Sequence, residues 1–82
     1  SDFIEASISV YPNPTEDYIN IASPLAEITD LTVYDVRGRV LQTLKVNNQT
    51  TYQLEMSNLE TSMYFVKIQT QNGSITKQII KQ

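Results

Sequence analysis

The chain has 82 residues, enough for one small domain, and a domain of this size leaves little room for a deep catalytic cleft. It contains no cysteine and no histidine, which excludes disulfide bonds and thiolate metal sites and removes the usual proton shuttle of neutral pH. The formal net charge of −3 opposes nucleic-acid binding, and no apolar run is long enough for a membrane helix.

Short runs that alternate apolar and polar residues, separated by turn residues, predict strands along almost the whole chain. The predicted strands are the run with Ala6, Ile8 and Val10 on one face, then 18–21, 28–34, 40–46, 52–56, 64–70 and 75–80. The alternation is expected to place Val40, Gln42, Leu44 and Val46 on one face of their strand. It is likewise expected to place Tyr64, Val66, Ile68 and Thr70 on one face of theirs. About seven strands at this spacing predict an all-β fold, a single immunoglobulin-like antiparallel β-sandwich.

The segment Tyr11-Pro12-Asn13-Pro14 predicts a stiff corner between the first two strands. Pro12 has no N–H and biases Tyr11 toward an extended backbone. Asn13 is expected to accept a backbone N–H two residues further on, as an Asx-turn, and Pro14 suits the second position of a turn. The corner therefore ends one strand and starts the next at Tyr18.

Three further turns are marked in the sequence. Asp35-Val36-Arg37-Gly38 has the aspartate and glycine of a type I turn and predicts a hairpin with a glycine bulge. Asn47-Asn48 is expected to turn the middle hairpin. Asn72-Gly73 is the strongest two-residue hairpin signal and should pair the last two strands.

Tyr64 stands two residues before Val66, at the spacing of the tyrosine corner in immunoglobulin-like sandwiches. In that corner the tyrosine hydroxyl bonds back to the backbone a few residues upstream. A tyrosine that is only packed in the core fits the sequence equally well.

Charge is unevenly distributed along the chain. Residues 1–36 contain seven acidic side chains and no basic one, whereas 61–82 contain Lys67, Lys77 and Lys81 and no acidic one. The terminal hairpin therefore carries a purely basic set of charges that could steer a partner. The alternative is mutual compensation of charge between neighbouring strands.

Several motifs, in this order, resemble those of the type A C-terminal sorting domains of the type IX (Por) secretion system. They are the Pro-Asn-Pro corner followed by Ile19 and Ile21, the segment 31–41, the segment 59–68 and the terminal segment 72–82. The residues that carry the motifs, and that are expected to hold the fold, are Pro12, Asn13, Pro14, Asp35, Gly38, Arg39, Tyr64, Asn72 and Gly73. Ser62 departs from the family, which usually has glycine there, a residue that suggests a positive φ.

The resemblance implies a domain layout and a function. Residues 1–9 would be a linker or first-strand region after the cargo, and 10–82 the sorting domain. Such a domain has no catalysis and no cofactor, and directs an N-terminal cargo from the periplasm through an outer-membrane translocon of Bacteroidota-type bacteria. Its implied partners are the translocon, shuttle proteins and a sortase-like surface protease that removes it, after which the cargo is released or joined to lipopolysaccharide.

The terminal strand is the expected recognition region. An exposed strand is suited to strand addition or to capture of its terminal carboxylate by a receptor. The predicted contact residues are Lys77, Ile79, Ile80, Lys81 and Gln82. Direct recognition of the Pro-Asn-Pro corner is the alternative, and an exposed terminal hairpin also permits a strand-swapped homodimer.

Two rival functions remain open from the sequence. A carbohydrate-binding or adhesion module would need exposed aromatic rings on one face, and its candidates are Tyr11, Tyr18, Tyr34 and Tyr52. A structural spacer between domains is the second. An enzyme, a nucleic-acid partner and stable membrane insertion are not expected.

Overall fold

The computed structural model describes residues 7–82, which form seven β-strands in two antiparallel sheets. The strands are β1 (Ser9–Tyr11), β2 (Tyr18–Ala22), β3 (Ile28–Tyr34), β4 (Val40–Gln49), β5 (Thr51–Glu55), β6 (Ser62–Thr70) and β7 (Gly73–Lys81). The prediction for Ala6 lies outside the described residues.

The two sheets have an immunoglobulin-like strand order. One sheet has three strands in the order β1-β2-β5, and the other has four in the order β4-β3-β6-β7. The fourth strand therefore joins the third, sixth and seventh, as the additional strands of variable-type immunoglobulin domains do. The predicted immunoglobulin-like sandwich is confirmed.

The core lies between the two sheets and follows from the period of two in the strands. The predicted inward face of β6 is confirmed, because Tyr64, Val66, Ile68 and Thr70 are all buried. The other buried apolar side chains are Ile8, Ile19, Ile21, Ala26, Ile28, Leu31, Val33, Val46, Leu54, Met56 and Ile79. Both sheets contribute to this single cluster, so the sandwich has one core.

A bulge in β4 corrects one predicted face. Tyr34 pairs with Val40 but Val33 pairs with Gln42, so Leu41 is an extra residue in β4. The extra residue moves Val40 to the outer face of the sheet, where 53% of it is exposed. The prediction that Val40 shares a face with Leu44 is therefore wrong, whereas Leu44 and the buried Val46 do lie against the core.

A second irregularity corrects the predicted turn at Asn47-Asn48. Asp30 pairs with Lys45 and Ile28 pairs with Gln49, so both asparagines lie in a bulge within β4. Asn48 takes a positive φ of 53° there. The chain changes sheets only after Gln49, because β5 pairs with β2 and not with β4. The expected middle hairpin does not form.

The terminal hairpin forms as predicted, but its turn is shifted by one residue. Thr70 pairs with Gly73, so the two loop residues are Gln71 and Asn72, and Gly73 begins β7 with a φ of 139°. The Thr70 hydroxyl supports the turn by accepting from the Asn72 N–H at 3.2 Å and donating to the Gly73 carbonyl at 2.7 Å.

The turn after β3 has the predicted type I geometry with a glycine bulge. The Gly38 N–H donates to the Asp35 carbonyl at 3.0 Å, and Gly38 has a φ of 84°. The Asp35 carboxylate accepts from the backbone N–H groups of Arg39 and Arg37, each at 2.9 Å, and from Arg39 Nε at 3.0 Å. The Arg39 N–H contributes most to lowering the pKa of Asp35 below its ordinary value of 3.8.

Tyr64 forms the predicted tyrosine corner and is also packed in the core. Its hydroxyl donates to the Glu60 carbonyl at 2.7 Å, and the side chain is buried. Ser62 begins β6 without the positive φ that the family glycine suggests, since Asn48 is the one non-glycine residue with positive φ among residues 7–82. Serine is therefore accommodated in ordinary extended backbone.

We expect Tyr64→Phe to lower the free energy of unfolding by about 1 kcal/mol, because the Glu60 carbonyl loses its donor while the ring stays packed. Urea denaturation followed by circular dichroism measures the change. Tyr18→Phe is the matched control, because Tyr18 is 40% exposed on the surface of the smaller sheet. Equal effects of the two substitutions would contradict a stabilising role for the corner bond.

Candidate functional site

The terminal strand β7 forms one edge of the four-stranded sheet. Its odd-numbered residues from Ile75 to Lys81 face the interior and its even-numbered residues face outward. One backbone edge of β7 pairs with β6 along its whole length. The accessibility of β7 to a partner strand therefore depends on which residues contact its other backbone edge.

Asn13 of the Pro-Asn-Pro corner meets that edge with both ends of its side-chain amide. Asn13 Nδ2 donates to the Gln78 carbonyl at 2.9 Å, and the Ile80 N–H donates to Asn13 Oδ1 at 3.0 Å. The predicted local Asx-turn is wrong, because the Asn13 side-chain amide forms its hydrogen bonds with the backbone of β7 and not with the backbone two residues further on. The corner does separate β1 from β2 as predicted, and both of its X–Pro peptide bonds are cis.

Thr15 extends the contact through its backbone. Its N–H donates to the Ile80 carbonyl at 2.9 Å, and the Gln82 N–H donates to the Thr15 carbonyl at 2.8 Å. The two segments run parallel here, through a bridge between Thr15 and Lys81. Thr15 is 2% exposed, and its hydroxyl donates to the Tyr18 carbonyl at 2.5 Å. We call the contacts of Asn13 and Thr15 with β7 the terminal clamp.

The terminal clamp protects part of a sheet edge. Exposed strand edges recruit other strands, and proline blocks such pairing because it has no N–H. Pro12 and Pro14 flank Asn13, so the corner covers β7 from Gln78 to Gln82 and offers no donor at two of its own positions. Ser74 and Thr76 lie in the first half of β7. Their backbone N–H and carbonyl groups that point away from β6, toward the open edge of the sheet, have no partner within residues 7–82.

Sequence reasoning missed Thr15. Its partners lie more than sixty residues away along the chain, and no local pattern marks a threonine after proline as a strand-pairing residue. The sequence did contain one signal, the two prolines on either side of Asn13. Residues without an N–H at these positions indicate a segment that pairs with a strand edge only briefly.

The five predicted contact residues of the terminal strand divide between the two faces. Ile79 is fully buried, Lys81 is 7% exposed and Lys77 is half-buried, all on the inner side of β7. Ile80 is 44% exposed on the outer side, and Gln82 is exposed. Lys81 Nζ donates to the Gln82 main-chain oxygen at 3.0 Å.

The lysines of the terminal hairpin do not form one basic face. Lys67 lies on the outer face opposite Thr32 and Thr76, whereas Lys77 and Lys81 point inward. Inward-pointing charges on an edge strand oppose pairing with foreign strands. Among residues 7–82, compensation between neighbouring strands occurs once, where Lys45 Nζ lies 2.9 Å from an Asp30 carboxylate oxygen and lowers the pKa of Asp30.

The four tyrosines proposed for carbohydrate binding do not share a face. Tyr11 and Tyr18 are exposed on the outer face of the three-stranded sheet, 53% and 40% respectively. Tyr34 lies on the outer face of the other sheet, and Tyr52 faces inward and is half-buried. The arrangement expected of an aromatic sugar platform is therefore incomplete.

No metal-binding cluster of acidic side chains occurs among residues 7–82. In the same part of the chain, no helix has the length and apolar character needed to cross a membrane.

These features define an immunoglobulin-like β-sandwich module with a clamped terminal strand. A family model described as a secretion system C-terminal sorting domain matches residues 9–82. The chain belongs to this family, the C-terminal sorting domains of the type IX secretion system. No curated protein matches the chain. The resemblance of the motifs is thus confirmed over β1 to β7.

Proposed function

We propose that the domain is a non-catalytic address that directs an N-terminal cargo through the type IX outer-membrane translocon of a Bacteroidota-type bacterium. The cargo passes through the periplasm and reaches the cell surface or the medium. The observation that carries this proposal is the family match, which spans every strand of the sandwich.

After export, the domain is removed from its cargo. A sortase-like surface protease removes it near its N-terminal boundary, and the cargo is released or joined to lipopolysaccharide. Residues 1–9, the proposed linker or first-strand region after the cargo, and 10–82, the proposed sorting domain, supply that boundary. Support comes from the position of β1, which begins at Ser9 and starts the matched region.

We place the recognition contact on the terminal strand, with separate roles for its two faces. Ile80, Gln82 and the accessible part of Lys77 touch the translocon or its shuttle protein, whereas Ile79 and Lys81 hold the strand in place from the interior. The unpartnered backbone of Ser74 and Thr76 supports strand addition at the first half of β7, since the terminal clamp covers the second half.

A secretion assay tests the sorting role. Residues 1–82 are fused to the C-terminus of a periplasm-targeted fluorescent protein in a bacterium with a working type IX system, beside a twin without the domain. We expect only the fusion that carries the domain to reach the surface or the medium. Retention of both in the periplasm, with the domain resistant to protease and therefore folded, would contradict the proposal.

Two further fusions test the terminal contact. One lacks residues 77–82, and the other carries Lys77→Thr, which keeps a good strand former at a half-buried edge position. We expect both to stay in the periplasm. Export of the Lys77→Thr fusion and of the truncated fusion would move recognition away from the terminal strand and back to the Pro-Asn-Pro corner.

A further inference from the structure

The outer face of the four-stranded sheet carries apolar side chains in two neighbouring rows, and Gln78 lies beside Phe65 where the first row reaches β7. Strand pairing sets Val40 beside Tyr34, Tyr34 beside Phe65, and Met63 beside Ile80. We call these five residues the apolar strip. Val40 is 53% and Ile80 44% exposed, and the other three are half-buried. The solvated face of an antiparallel sheet is usually polar, so a strip that crosses all four strands is an unpartnered surface.

The charged side chains on the outer face of this sheet leave one lysine without an acidic partner. Lys67 lies in the next row of side chains, between Thr32 and Thr76, and has no ion-pair partner among residues 7–82. Asp30, on the same face, is already paired with Lys45. This face is therefore net positive in a chain whose net charge is −3.

We propose that the apolar strip is a docking surface for a protein of the export machinery that presents an apolar patch with an acidic rim. The inference rests on the proposed function and adds the surface and its chemistry. Tyr, Phe and Met are enriched in the cores of protein interfaces, and a positive rim beside them selects an acidic partner. The strip also contains Ile80, so it is continuous with the terminal strand.

Two other occupants fit the surface less well. A second copy of this chain would bring two net-positive faces together, which like-charge repulsion opposes. A membrane surface also attracts basic residues, but insertion into the acyl boundary requires apolar side chains that project freely from the protein, as those of an interfacial helix do. The strip lies in a sheet beside a row that contains Thr32 and Thr76, and three of its members are half-buried.

The fusion assay described above tests this surface with point variants. Phe65→Thr removes the centre of the strip, Val40→Thr removes its most exposed member, and Lys67→Glu reverses the rim charge. We expect each to lower the ratio of exported to retained fusion, Phe65→Thr about tenfold, as for truncation of a central interface side chain, and the other two by a smaller factor. Tyr18→Thr is the matched control, because Tyr18 is 40% exposed on the outer face of the other sheet, and Lys67→Arg should keep export.

The outcomes separate this inference from the proposed function. Retention of the unsubstituted fusion would overturn both, whereas export of every variant at the unsubstituted level would overturn the docking surface alone. Loss of export in Tyr18→Thr as well would also overturn it. The purified variants must keep the thermal transition of the parent; because Val40 is exposed, Val40→Thr keeps the test decisive if Phe65→Thr fails to fold.

Two measurements on the purified domain examine the rival occupants. Sedimentation velocity detects a dimer, and flotation with vesicles containing phosphatidylglycerol detects membrane binding. We expect the purified domain to sediment as a monomer and not to float with the vesicles. A dimer or vesicle binding that Phe65→Thr abolishes would assign the strip to that occupant and overturn the proposal.

Discussion

Replacing Ile79 by alanine is expected to lower the free energy of unfolding by about 2–5 kcal/mol. Ile79 is fully buried and packs opposite Tyr64 across the β6–β7 pair, so the smaller side chain leaves a cavity in the core. A domain of this size is stable by only about 5–15 kcal/mol, so the loss removes much of its stability. Urea denaturation at 25 °C measures it.

Ile80→Ala is the control within the same strand. Ile80 is 44% exposed, and its neighbour in β6 is Met63 on the outer face. We expect a change of about 0.5 kcal/mol or less, as for most surface substitutions. If the two substitutions lower the free energy of unfolding equally, the alternation of inward and outward side chains in β7 is wrong. The division of the terminal strand into contact and supporting residues would then be wrong as well.

Asn13→Ala has the second largest expected effect, a destabilisation of about 1–3 kcal/mol. The substitution removes two hydrogen bonds to β7, one to the Gln78 carbonyl and one from the Ile80 N–H. Without its acceptor, the Ile80 N–H should exchange with solvent faster than in the parent. Urea denaturation measures the first effect, and amide hydrogen exchange followed by NMR measures the second.

Asn47→Ala is the control for the clamp, because Asn47 is exposed in the β4 bulge. It should leave the exchange of the Ile80 N–H unchanged. Equal protection of that N–H in Asn13→Ala and in the parent would show that the clamp does not shield the edge of β7.

Features that depend on neighbouring residues were predictable from the sequence. The period of two gave the strands and the inward face of β6, and short-range turn chemistry gave the Asp35 turn. The spacing of Tyr64 and Val66 indicated the corner bond to Glu60. In each case the interacting groups lie within a few residues of each other along the chain, so a short stretch of sequence contains both of them.

Features that depend on register were not predictable. The bulge that turns Val40 outward exists only relative to its neighbour β3, and the partners of Asn13 lie 65 and 67 residues away. The apolar strip has the same origin, because its members come from four separate strands and become adjacent only when the sheet forms. The inward position of Lys77 could have been found, since it is in phase with Ile75 and Ile79.

The parallel arrangement of the terminal clamp has a mechanical consequence. Asn13 and Thr15 make four hydrogen bonds to β7, and the Thr15–Lys81 bridge is parallel. If a cargo precedes the domain and a receptor holds its terminal strand, as proposed above, tension between them would pull the two clamped segments past each other along their length. The four bonds then share the load and must break together, whereas an antiparallel hairpin pulled at its open end breaks one bond at a time. The terminal clamp is thus a place where several hydrogen bonds would resist such a pull at once.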